Sequence, residues 1–538
     1  MLAIHDPSFP ADPDEDLGRG SPTTRAAFRL LAMVRAMGFT GLQLGPQGQT
    51  ARDNPSPYDG TIFSRHLGNV SAAAWAEVAG ESVVAAHLLR APGGPARHGH
   101  AHDAAQALLD AAHATLPTDR GLAARLASFS TTHATWLARD GAYEANAHHN
   151  GGAGFRGWTE PAAPDDDLRR RVVERFALGQ LLAHEELARF RREAQRLGLA
   201  LYGDLQVGYS DRDAWAFQDL FLAGYAMGAP PSRTNPDGQP WGYPVLDPDQ
   251  LDGAARAFVV ARAAKAFAEY DSLRIDHPHG LVCPWVYTDD VRTGARLFDS
   301  PDLPDHPRLA RFAIARPDQL DRTLPRYADG WVKELSPAQI ERYARVFDAL
   351  IGTARAHGRR PEDLSCEVLS TMPRPLADVL ARHGLGRWRV LQKANLDDPR
   401  DVYRSENAEP HDWIMLGNHD TAPIMGLIAS WPAGTREAWA RHLAARLRLP
   451  RPERLASPAY LASCMLAECF ASRAENVSIF FADLFGYTER FNVPGVISAD
   501  NWTLRLPHDF SVLHAERVHA GLAPDLALAV QLALSAQQ

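Results

Sequence analysis

Hydrophobic and polar positions along this chain fall into two repeating patterns. Stretches of helical period alternate with short apolar runs, and several of those runs end in a charged residue. Residues 21–37 place Phe28, Leu31, Val34 and Met37 on one face, which predicts a helix with Ser21 as N-cap and Pro22 in the first position. A strand is predicted over 39–44, then a loop over 45–60 rich in Gly, Pro, Asn and Asp. Residues 166–197 carry Val172, Val173, Phe176, Leu178, Leu181 and Leu182 at helical spacing and lead into a strand over 199–204 that ends at Asp204. The unit recurs as helix 253–270 with strand 272–276, helix 337–356 with strand 364–368, helix 375–383 with strand 388–391, a strand over 413–416, and helix 460–472 with strand 477–482.

Strands alternating with helices imply a parallel sheet. The expected fold class is α/β: a (β/α)8 TIM barrel with helical insertions at the C-terminal face of the strands, taking up residues 1–538 as a single catalytic domain. An Ala- and His-rich stretch over 71–160, broken at 91–95 and 151–154, reads as a helical insertion within it. Seven strands are counted, and the eighth is expected near that insertion.

Composition narrows the function classes. The 538 residues are 45% hydrophobic and 22% charged, which is ordinary globular usage. A formal net charge of -9 argues against nucleic acid or an anionic membrane as partner. Cys283, Cys366, Cys464 and Cys469 match no zinc or redox spacing, so a reducing, cytoplasmic setting is expected. The first 17 residues have no basic or apolar region of a secretory signal, and no apolar run approaches membrane-spanning length. The sequence does not indicate an oligomeric state.

The candidate chemistry lies at the strand ends. Asp276, Glu367 and Asp420 each close a separate apolar run, and the carboxyl ends of parallel barrel strands converge on one face. Cleavage of a glycosidic bond with retention needs a nucleophilic carboxylate and an acid/base carboxyl about 5 Å apart. Any one such acid could equally be a helix cap or a surface charge; three together, among other polar groups, point to a site. Tyr58, Trp215, Trp241, Trp285 and Tyr287 lie in or beside loops near the strand ends, where aromatic faces could stack on sugar rings or simply pack. His98, His100, His102 and Asp103, with His148 and His149, sit among Gly and Pro and read as a solvated loop rather than a metal site. Gly93-Gly94 and Gly151-Gly152 lack the strand–loop–helix context of a phosphate cradle, so no cofactor is expected.

The ordered motifs resemble glycoside hydrolase family 77, the amylomaltases or disproportionating 4-α-glucanotransferases. Ser56-Pro57-Tyr58, Gly203-Asp204-Leu205, Asp211-Arg-Asp-Ala-Trp215, Gly228-Ala-Pro-Pro231 with Gly238-Gln-Pro-Trp241-Gly-Tyr-Pro244, Arg274-Ile-Asp276-His277, Val390-Leu-Gln392, and Asn492-Val-Pro-Gly495 with Asn501-Trp502 carry the resemblance. It implies Asp276 as nucleophile, Glu367 as acid/base and Asp420 as transition-state stabiliser. It also implies substrate contacts from Arg274, His277, His419, Tyr58, Asp204, Trp241 and Asn418, a loop over 228–244 arching across the glucan, and a maltooligosaccharide or α-glucan as donor and acceptor. An α-glucan hydrolase of the same fold and a non-catalytic glucan-binding homologue are the alternatives. The chain departs from the family pattern at Pro278-His279, at Cys366 and Val368-Leu369-Ser370 around Glu367, and at Asn418 and Thr421 around His419-Asp420.

Overall fold

The computed structural model describes residues 1–158, 165–230, 238–288, 303–496 and 498–537, with the backbone of 298–299. In chain order its strands are β1 Leu2–Ala3, β2 Gly41–Gln43, β3 Ala200–Leu205, β4 Tyr225–Ala229, β5 Gln239–Tyr243, β6 Ser272–Ile275, β7 Trp285–Thr288, β8 Phe298–Asp299, β9 Ser365–Cys366, β10 Trp388–Val390, β11 Trp413–Met415, β12 Asn476–Val477 and β13 Ile479–Phe480. Parallel ladders run in the order β13-β1-β2-β3-β6-β9 and β10-β11-β12. Two hydrogen bonds join them. Ser478 N donates to Ile414 O at 2.9 Å, so β12 and β13 are halves of one run, and Trp388 N donates to Val368 O at 3.1 Å, carrying the sheet from the end of β9 to β10. The result is an α/β fold around a curled parallel sheet. Leu42, Leu201, Leu273, Ile275, Val390 and Ile414 are buried, and such apolar strands suit a sheet covered on both faces.

Most predicted elements stand within two residues of their expected bounds. Helix Pro337–Ala356 matches, capped by a reciprocal Ser336–Gln339 box. Three expectations need correction. The strand missing from the count is β1 at the N-terminus, hydrogen-bonded between β13 and β2, and not near the insertion. Two paired residues are too few to print a period. The first helix begins at Arg25, not near Ser21: Thr24 Oγ1 accepts from Ala27 N, while Ser21 bonds its hydroxyl to Thr23. The histidine tract is no loop: it opens helix His98–Thr115, whose Ala101, Ala104, Ala105, Leu108, Leu109 and Ala112 form a buried stripe.

Helices Ala72–Ala79, Glu81–His87, His98–Thr115, Arg120–Thr132 and Ala134–His149 pack with the long helix Asp166–Arg196 around Trp75, Leu108, Leu109, Leu178 and Leu181. A separate antiparallel sheet, β5-β4-β7-β8, projects from the connections after β3 and β6. Pro231 and the middle of the expected arching loop lie outside the described residues, as do Thr159 and Glu160 of the expected insertion. Among the described residues no helix is long and apolar enough to cross a membrane.

One ion pair ties the two ends of the chain together. Arg505 Nη1 and Nη2 donate to Asp16 Oδ1 and Oδ2 at 2.9 and 2.7 Å, with side chains 2% and 0% exposed. Burial opposes the Asp16 charge, but Arg505 and the amides of Gly93 and Gly18 outweigh it and hold the carboxyl below its ordinary range. Asp16→Ala leaves a buried guanidinium unpaired and is expected to cost about 3–5 kcal/mol in urea unfolding. A loss under 1 kcal/mol would show that the pair is not buried in solution.

Candidate active site

Strand register brings the charged residues together. Asp204 in β3 is the cross-strand neighbour of Arg274 in β6, and Arg274 pairs in turn with Ser365 in β9. Glu367 N donates to Ile275 O at 3.0 Å, which fixes the level at which its side chain leaves the sheet. Arg274 is fully buried and forms the hub. Its Nη1 donates to both Asp204 oxygens at 2.7 Å and to the Tyr58 hydroxyl at 3.2 Å. Its Nη2 lies 2.5 Å from Glu367 Oε2 and 3.0 Å from Asp276 Oδ1. Tyr58, on the turn Pro57–Asp59 after β2, donates to Asp204 Oδ2 at 3.1 Å. The guanidinium also lies over the Trp388 ring at 5.0 Å.

Three carboxyls share Arg274, and two of them, Asp276 and Glu367, are tuned in opposite directions. Burial would raise Asp276, but Arg274, His277 and the Val207 amide, which donates to Oδ2 at 3.0 Å, outweigh it and leave the carboxyl at about 2. Burial pushes Glu367 up to about 8; Arg274 opposes this, while the charges of Asp276 and Asp420 add to it. One oxygen of each carboxyl and one ring nitrogen of His277 all lie within 4.8 Å of one another. That separation fits a nucleophile and an acid/base of a retaining reaction, and opposed environments are how such roles are divided. His277 holds a backbone φ of +37°, unusual for a non-glycine residue, immediately after Asp276.

The remaining predicted residues frame this pair. Asp420, raised by burial, accepts from Asn492 Nδ2 at 2.7 Å. Asn418 uses its side-chain oxygen to accept the Asp420 amide at 3.1 Å, so it shapes the turn that presents Asp420. His419 is buried and stacks on Tyr58, centroids 5.2 Å apart and planes within 18°; burial and Arg274 keep its imidazole well below the ordinary range and neutral. Trp241, on β5, places its ring 4.8 Å from that of His277. His279, one of the departures from the family pattern, turns away from the acids: its Nε2 donates to Thr371 O at 3.0 Å, tying the loop after Asp276 to the loop after Glu367.

The other three aromatics expected near the strand ends make contacts of their own. Trp215 packs on Tyr143 and Trp158 beside the insertion. Trp285 and Tyr287 belong to β7, where Arg326 covers the indole and the Tyr287 hydroxyl donates to Ala229 O at 2.8 Å. Sequence reasoning missed His5 and Trp502 as site neighbours. The His5 ring is buried 5.0 Å from His419 and 5.5 Å from Trp502. Gly45 admits it, since a Cβ there would lie 2.2 Å from His5 Cδ2. Trp502 is buried with φ at +63°, a left-handed conformation that costs a non-glycine residue about 1–2 kcal/mol. Among the described residues, two acid–histidine clusters have donor atoms close enough to consider for a cation. In Asp276–His277–Glu367 the Arg274 guanidinium already supplies the positive charge, and in Glu406–His442–Glu468 the His442 ring bonds Glu468 directly at 2.7 Å.

An α/β protein with paired, oppositely tuned carboxyls at the carboxyl end of a parallel sheet has the geometry of retaining glycosidic-bond chemistry. The chain belongs to glycoside hydrolase family 77, the 4-alpha-glucanotransferase family, whose model matches residues 11–511. It is 23% identical over 372 residues to the rice (Oryza sativa subsp. japonica) 4-alpha-glucanotransferase DPE1, covering 66% of this chain and 53% of that protein. It is 23% identical over 394 residues to the Chlamydia pneumoniae 4-alpha-glucanotransferase, covering 69% of this chain and 65% of that one. The matched stretch therefore spans less than two thirds of either curated relative. The fold is similar to that of the Streptococcus agalactiae amylomaltase solved in complex with acarbose, with a TM-score of 0.76, 16% identity, and 97% of this chain and 99% of that chain covered.

Proposed function

We propose that this protein is a retaining 4-α-glucanotransferase that moves a segment of an α-1,4-glucan to the 4-hydroxyl of an acceptor glucose or glucan. The observation that carries the reading is the Asp276–Glu367 pair, bridged by Arg274 and tuned in opposite directions. We read the curled sheet as a (β/α)8 barrel spanning 1–538, with 71–160 as an insertion at its C-terminal face, acting in the cytoplasm.

In the first half-reaction an Asp276 oxygen attacks C1 of the bound glucan. The C1–O bond breaks, and the leaving 4-oxygen takes the proton of Glu367. A β-linked glucosyl ester on Asp276 results. In the second half, an acceptor 4-hydroxyl gives its proton to Glu367 and attacks C1, and the ester breaks to restore Asp276. Asp420 faces the charge that develops on the sugar ring. Arg274, His277, Asp204, Tyr58 and His419 hold the donor sugar, and Asn418 presents Asp420. Trp241 offers an apolar face beside His277. Transfer rather than hydrolysis requires water to be kept from the ester. The contact between the loop at Gly495 and Gln239 on β5, where an added Cβ would lie 2.3 Å from the Gln239 amide, supports an enclosed site.

Incubation with maltotriose, with products resolved by size, tests the reading. The expected result is glucose plus longer oligosaccharides at constant reducing-end concentration. A rise in reducing ends would instead identify a hydrolase, and unchanged maltotriose a binding protein.

A further inference from the structure

The histidine tract that opens helix His98–Thr115 has no part in the mechanism above, yet its first residue reaches the floor of the site. His98 Nε2 lies 2.9 Å from Trp502 O, and because a carbonyl only accepts, the ring nitrogen carries the proton. The next backbone contact repeats the link: Ala96 N donates to Thr503 O at 2.7 Å. On the other side Trp502 N donates to Phe491 O at 2.8 Å. Trp502 is thus gripped from both sides at the one place where its backbone is left-handed. Its indole meets His5 at 5.5 Å, Tyr58 at 5.8 Å and His419 at 5.9 Å. Two of those rings belong to residues that carry the chemistry: the Tyr58 hydroxyl bonds Asp204 and faces Arg274, and His419 precedes Asp420.

We propose that the helical insertion positions the active site through His98, whose hydrogen bond to the Trp502 carbonyl holds the strained residue so that its indole fixes Tyr58 and His419 beneath the donor sugar. His98 is a positioning residue, since it touches neither the acids nor the rings that face substrate. Its ring is half-buried, and burial together with the charge of Arg19 takes it down to about 4, so the bond is made by a neutral imidazole across the neutral range. The arrangement also accounts for a tryptophan in a conformation that favours glycine. A glycine would relieve the backbone and leave His5, Tyr58 and His419 without their common neighbour.

The inference rests on the glucanotransferase reading, and the experiment separates the two. His98→Ala and His98→Gln are compared with the parent for maltotriose disproportionation, thermal unfolding and near-ultraviolet circular dichroism. His98→Ala is expected to lower kcat at least tenfold with the unfolding midpoint within a few degrees of the parent and an altered tryptophan signal. His98→Gln, which keeps a donor, is expected to recover most of both. Parental kcat in His98→Ala overturns the proposal. Equal loss in the two variants, with a broadened unfolding transition, overturns it in favour of a purely structural role. If the parent itself leaves maltotriose intact, the glucanotransferase reading fails, and the positioning role of His98 is judged on the dichroism alone: an unchanged spectrum in His98→Ala overturns it.

Discussion

Asp276→Asn is expected to lower kcat for maltotriose disproportionation by on the order of 10⁴-fold or more, because under the proposed mechanism it removes the atom that would form the glucosyl ester. The two other carboxyls on Arg274 are committed elsewhere. Both Asp204 oxygens are engaged by Arg274, and Glu367 is held protonated for its own role. The fold is expected to survive, since the asparagine oxygen can still accept from Val207 N and the Arg274 guanidinium keeps Asp204 and Glu367. A second consequence separates loss of the nucleophile from general damage. The Asp276 charge helps to raise Glu367. In the variant that charge is gone, so the Glu367 carboxyl is expected to titrate lower than in the parent, which carbon-13 NMR of labelled glutamate can read. Activity above one per cent of the parent, with deamidation excluded by mass spectrometry, would remove Asp276 from the mechanism.

The parts of this site that were legible in the sequence are those that strands deliver. An apolar run of four or five residues ending in an acid marks both a buried strand and its functional end, and Asp204, Asp276 and Glu367 were found that way. Asp420 follows its strand by a short turn that Asn418 stabilises, so its placement needed only the run before it. The residues that stayed hidden are held by tertiary packing and not by a local pattern. His5 follows a strand of two paired residues, and its role depends on Gly45 being bare enough to admit the ring. Trp502 needs a left-handed backbone that a tryptophan does not announce. Trp285 and Tyr287 were expected in or beside loops and stand instead on β7, because an alternating aromatic segment also suits a strand of a separate antiparallel sheet. The histidine tract misled for the opposite reason: glycines and histidines hid an alanine stripe at helical spacing, which only the buried face of helix His98–Thr115 makes plain.

Glu367→Gln isolates the other half of the chemistry. Under the proposed mechanism, turnover requires Asp276 ionised and Glu367 protonated. With Glu367 raised to about 8 and Asp276 lowered to about 2, that combination holds across the neutral range. As pH rises through the Glu367 value the acid is lost, so kcat/KM is expected to fall on the alkaline side. Glutamine cannot donate that proton, and maltotriose turnover is expected to drop by about 10²- to 10⁴-fold. It can still accept from Arg274 Nη2, so the hub stays assembled. An α-glucosyl fluoride donor needs no proton on its leaving group, so Asp276 is expected to attack it in the variant and the alkaline fall in that step to disappear. Deglycosylation then lacks its base, and intact-protein mass spectrometry should show the chain heavier by one glucosyl group. Azide attacks without needing a base, and its addition should release the sugar as the α-azide, because two inversions at C1 restore the starting configuration. Parental turnover of maltotriose with the alkaline fall in place would assign the proton transfer to a different group. Absence of the adduct with the fluoride would place the defect before Asp276 attacks.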